Sequence, residues 1–70
     1  MTAMLTVHLD ERAIEVAPGT TLAALLEAQV PHHQAVASAL NGSFVPRAAR
    51  AATALREGDR VLVFHAIVGG

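Results

Sequence analysis

Apolar and polar residues alternate along Met4-Leu5-Thr6-Val7-His8-Leu9, with Leu5, Val7 and Leu9 on one side and Met4, Thr6 and His8 on the other. A period of two marks a strand with one buried face. The polar run Asp10-Glu11-Arg12 interrupts it. Ile14 and Val16 then alternate with Ala13, Glu15 and Ala17. Two short alternating runs across a tight polar turn predict an antiparallel hairpin. Pro18-Gly19 breaks the second strand, and the period changes after it. Leu22, Leu25, Leu26 and Val30 form one stripe of a helix, with Ala23, Ala24, Glu27 and Ala28 on its outer side. Thr20 or Thr21 is placed to cap this helix. Val30-Pro31 ends it, because the residue before a proline avoids the helical region.

Val36 to Leu40 predicts a third, alanine-rich strand. Asn41-Gly42 is a hairpin-turn signal, and Phe44-Val45 a short return strand closed by Pro46. Arg47 to Ala54 predicts a short helix, with Leu55 as a core plug behind it, and Glu57-Gly58-Asp59 a turn. Val61-Leu62-Val63-Phe64 is apolar on both parities. A strand with two apolar faces wants cover on both, yet one helix covers only one face of a sheet. Leu62 or Phe64 is therefore expected to stand exposed, and exposed apolar patches on small domains mark partner surfaces. The pattern, written β-β-α-β-β, predicts an α+β fold with one sheet wrapped on one main helix.

Seventy residues leave room for a single domain. Of the apolar 53%, fifteen residues are alanine, so the core is one thin layer. The absence of cysteine excludes a disulfide, a thiolate zinc site, a persulfide and a cysteine nucleophile. A net charge of −1 and two phenylalanines argue against nucleic acid as a partner. No stretch approaches the ~20 apolar residues of a membrane span. Met1 to Leu9 lacks the features of a signal peptide, so a cytoplasmic protein is expected. All five basic residues are arginine, so no lysine amine is available as a nucleophile.

Chemistry within the body of the chain is sparse. Ser38 and Ser43 lack a glycine-rich elbow, and no phosphate loop is present. The acidic residues fall in turns or on outer faces, where solvation is expected. His32 and His33 are adjacent and their side chains diverge. His8 and His65 lie on the first and last strands, where they could approach each other, but two ligands alone make no metal site. No catalytic residue and no metal site are expected.

The remaining candidate is the segment His65-Ala66-Ile67-Val68-Gly69-Gly70. Two β-branched residues followed by two glycines suit an arm that slides into a partner's groove past a constriction that admits no side chain. The α-carboxylate of Gly70 is then the best group for covalent chemistry. A carboxylate must be activated first, and with no nucleotide motif here, another protein must supply ATP and magnesium. The expected organisation is a domain over residues 1–65 and a flexible tail over 66–70. The expected role is that of a carrier or co-substrate rather than an enzyme.

Three stretches carry a family resemblance: Leu40-Asn41-Gly42-Ser43-Phe44-Val45-Pro46-Arg47, Leu55-Arg56-Glu57-Gly58-Asp59-Arg60-Val61 and Val68-Gly69-Gly70. The chain resembles the ubiquitin-like β-grasp sulfur carriers, and within them the ThiS family, over essentially its whole length. The resemblance implies a mixed sheet with the last strand central and parallel to the first. It also implies a ThiF-type adenylyltransferase, related to ubiquitin-activating enzymes, that forms an adenylate on Gly70. A sulfur donor then leaves a thiocarboxylate, and a ThiG-type thiazole synthase takes the sulfur for thiamine biosynthesis. No cofactor bound by the chain itself is implied.

By the same resemblance Gly70 carries sulfur, Gly69 passes the constriction, and Ile67 and Val68 dock. Leu62 and Phe64 form a partner-facing patch, rimmed by Arg47 and Arg50. The alternatives are a carrier for another acceptor, such as molybdopterin or an amino acid, and a ubiquitin-like protein modifier. Two departures stand out. Met1-Thr2-Ala3 precedes the family's usual start, and the 47–54 segment lacks the larger polar and aromatic residues often present there.

Overall fold

The computed structural model describes residues 3–32 and 35–65, and for His65 the backbone alone. The alternating N-terminal runs form β1 (Leu5–Leu9) and β2 (Arg12–Val16), paired antiparallel from Leu5 opposite Val16 to Leu9 opposite Arg12. Asp10, at φ 55°, makes the reversal between them. The helix α1 spans Leu22–Gln29. Thr21 is its cap: the hydroxyl accepts a hydrogen bond from the Ala24 N–H at 3.2 Å. Thr20 instead turns its hydroxyl to the Ala17 carbonyl. Before Pro31, Val30 leaves the helical region (φ −123°, ψ 103°) while its N–H still donates to Leu26 O.

β3 (Val36–Leu40) and β4 (Ser43–Val45) form the second hairpin. Asn41 and Gly42 both hold positive φ (51° and 87°), the conformation that a two-residue turn matching the sheet's twist requires. A 3-10 helix, η1 (Arg47–Ala52), follows Pro46. It stops short of the Ala54 expected from sequence, because residues 53–55 are taken up by the start of α1. Leu22 N donates to Thr53 O, Leu55 N donates to Thr20 O, and Thr21 and Ala54 form an isolated bridge.

β5 (Arg60–His65) completes the sheet. The strand order is β2-β1-β5-β3-β4, with β5 parallel to β1 and antiparallel to β3. The written pattern β-β-α-β-β is thus one strand short, since both hairpins and the inserted last strand make five strands in the sheet. α1 covers one face. Val7, Leu9, Val16, Leu22, Leu25, Leu26, Val45, Leu55 and Val61 form the core between them. At about 25 cal/mol per Å2 of apolar surface, each fully buried leucine in such a layer contributes roughly 2–3 kcal/mol. Leu55 is 3% exposed, as its role of plug requires.

Candidate functional site

The parity of β5 divides its side chains. Val61 is fully buried and Val63 packs against the core. Leu62 and Phe64 point the other way, and each is 48% exposed. Register sets Phe64 opposite Ala37 and Leu62 opposite Ala39 on β3. Ala39 in turn faces Phe44 on β4, and Phe44 is 64% exposed. The small alanines of β3 thus form a low floor between three large apolar side chains. This is the uncovered face expected from the two-sided strand. Phe44 escaped the sequence reasoning because a single phenylalanine in a three-residue strand gives no alternation to read.

Polar groups edge this patch. His8 lies opposite Arg60, and a shallow concavity lined by His8, Glu11, Asn41, Arg60 and Leu62 adjoins the apolar row. On the far side Arg47 is exposed and shares a second concavity with Phe44.

Arg50 corrects the sequence reading. It is 4% exposed and is an interior residue, not a rim residue. Its Nε donates to Ser38 Oγ at 3.0 Å and its Nη2 to the Val36 carbonyl at 2.7 Å. Ser38, itself fully buried, donates its hydroxyl hydrogen bond to the Val45 carbonyl at 3.3 Å. The guanidinium therefore pins η1 beneath the β3–β4 hairpin. Burial pushes its pKa below the usual arginine value, and the nearby Arg47 charge adds to that.

The two internal stretches that carry the family resemblance prove to be one clamp. Asn41 Nδ2 donates to Asp59 Oδ1 at 3.0 Å, and Asn41 Oδ1 accepts the Arg60 N–H at 2.9 Å. Asp59 Oδ2 accepts the Arg56 N–H at 2.8 Å and closes the turn that contains Gly58. Asp59 O and Glu57 Oε1 accept from His8 and Thr6 of β1. These residues fix the start of β5 between its two neighbours; their work is structural.

His8 and His65 do not meet. In the parallel register His8 faces Arg60, while His65 pairs with Val36 five residues further along β5, roughly 16 Å away at strand rise. Among the described residues no group of three His, Asp or Glu gathers to hold a metal, and no helix is long and apolar enough to cross a membrane. Ile67, Val68, Gly69 and Gly70 lie outside the described residues.

A family model described as the ThiS family matches residues 3–70. The sulfur carrier protein ThiS of Escherichia coli (strain K12) is 34% identical over 61 residues, which cover 87% of this chain and 92% of that protein. The crystal structure of the thiamine biosynthesis protein ThiS from Geobacter metallireducens superposes with a TM-score of 0.82 at 28% identity, covering 94% of this chain and all of that one. With a helix on one face of a mixed five-stranded sheet, an apolar patch on the other, and agreement with these relatives nearly end to end, the chain belongs to the ThiS family of ubiquitin-like β-grasp proteins.

Proposed function

We propose that this protein is the sulfur carrier of thiazole formation in thiamine biosynthesis, with the Gly70 carboxylate as its working group. One observation carries the reading: the strand that presents Leu62 and Phe64 on the sheet's uncovered face runs on in sequence into Gly69 and Gly70. Docking surface and reactive end therefore lie within one short run of sequence, from Leu62 to Gly70. The known relatives supply the class, a sulfur carrier in one and a thiamine biosynthesis protein in the other.

The chemistry follows from the end group. A Gly70 carboxylate oxygen attacks the α-phosphorus of ATP on a ThiF-type partner, pyrophosphate leaves, and a glycyl-adenylate forms. A sulfide-level donor attacks the acyl carbon, AMP leaves, and a thiocarboxylate remains. Where the donor is a persulfide, the acyl disulfide formed first is reduced by a thiol. The thiocarboxylate then gives its sulfur to a ThiG-type synthase, and hydrolysis returns the carboxylate. Leu62, Phe64 and Phe44 bind the partners, Arg47 borders their contact, and Ile67, Val68 and Gly69 lead Gly70 inward. ATP and magnesium belong to the activating partner.

Intact mass measured after coexpression with the native partners tests this. The carrier reading expects a species heavier by the difference between a sulfur and an oxygen atom. Larger isopeptide-linked species would replace it with a protein modifier. Loading without transfer to a thiazole synthase would point to another acceptor, such as molybdopterin or an amino acid.

A further inference from the structure

β1 and β5 run side by side for only two positions, His8 opposite Arg60 and Leu9 opposite Val61. β1 then reverses at Asp10, while β5 continues through Leu62, Val63, Phe64 and His65 with β3 on its other side. Asp10 bridges the gap twice. Its own N–H donates to the Val61 carbonyl at 2.8 Å, and its Oδ1 accepts the Val63 N–H at 3.1 Å. In a continued parallel ladder the backbone carbonyl of residue 10 would accept that second bond. Here the chain has already turned, and the side-chain carboxylate replaces the carbonyl. Asp10 therefore acts as one extra ladder residue opposite Leu62. Among the described residues no strand pairs with β5 beyond it on that side, and a concavity lined by Asp10, Val30, Pro31, Val36, Val63 and Phe64 adjoins the strand's end.

We propose that Asp10 is a positioning residue for the C-terminal arm. It extends the two-sided support of β5 as far as Val63, two residues before the strand ends. It thereby fixes the direction in which the chain leaves the sheet relative to the Leu62–Phe64 patch. Once the patch is docked, that direction sets how often Gly70 lies at the partner's ATP, and misdirecting a reacting group lowers rate steeply. The inference rests on the carrier reading for its consequence, but not for the placement of Val63.

The substitutions separate backbone from side chain. Asp10→Gly accepts the positive φ and removes the acceptor. Asp10→Asn also tolerates that conformation and keeps an Oδ1. The first readout is amide hydrogen exchange in the free protein. The Val63 amide is expected to exchange at least about tenfold faster in Asp10→Gly and to return toward wild type in Asp10→Asn. Unchanged Val63 exchange in Asp10→Gly overturns the proposal without any partner present.

The second readout is ATP–pyrophosphate exchange on a ThiF-type adenylyltransferase that activates the wild-type chain. Asp10→Gly is expected to lose about tenfold in kcat with KM within about threefold, and Asp10→Asn to recover most of it. Thr21→Ala, which removes the cap of α1, serves as the destabilised control. An equal fall in kcat for Thr21→Ala would make the effect one of general stability and overturn the proposal. If no such enzyme activates the wild type, the carrier reading fails, and the placement of Val63 is still decided by amide exchange.

Discussion

Replacing Phe64 by alanine separates docking from folding. A phenylalanine offers about 200 Å2 of surface. At 48% exposure, about 100 Å2 of it is free for a partner to cover. At about 25 cal/mol per Å2 this amounts to about 2.5 kcal/mol of binding, or about 60-fold in Kd. The buried half contributes a similar amount to the fold. A chain of this length has a total stability of roughly 3–10 kcal/mol, so Phe64→Ala remains folded but melts earlier. Titration calorimetry against the proposed ThiF-type partner, well below the variant's Tm, reads the first quantity. Thermal unfolding reads the second. A folded Phe64→Ala that binds within about threefold of wild type would refute the assignment of this face as the docking surface.

Other substitutions test separate parts of the structure. Arg50→Ala strands the Val36 carbonyl and removes the Ser38 contact, so it is expected to cost roughly 2–4 kcal/mol in denaturant unfolding, with Arg50→Lys intermediate because one ammonium cannot reproduce the fork. A loss under about 0.5 kcal/mol would show that the buried guanidinium does not pin η1. Asn41→Ala removes both side-chain bonds to the β5 start and a residue that tolerates positive φ, and is expected to cost about 1–3 kcal/mol by the same measurement. Gly70→Val is expected to leave Tm unchanged while abolishing sulfur loading by intact mass; normal loading would show that the partner's channel admits a side chain.

Local signals in the sequence carried most of the fold. Alternation located the first two strands, the Leu22, Leu25, Leu26 and Val30 stripe located α1, and Asn41-Gly42 located the second turn, because each depends on neighbours within a few residues. The exposed Leu62 and Phe64 were legible from a counting argument: two apolar faces and one helix. What escaped depends on distant partners. An arginine reads as surface by its charge, and Arg50 is interior only because Ser38 Oγ and the Val36 carbonyl wait 12 and 14 residues away. Asp10 reads as a turn residue, and its bond to Val63 spans 53 positions. The 1–65 boundary and the roles of residues 67–70 rest on the sequence and the family.

The order β2-β1-β5-β3-β4 has a bearing on biogenesis. Until Arg60–His65 slots between them, the first four strands are two hairpins with no common sheet. Leu62 and Phe64 arrive on that same last strand. A nascent or proteolysed chain lacking it therefore keeps only Phe44 of the three large apolar side chains, on a hairpin with no β5 beside it.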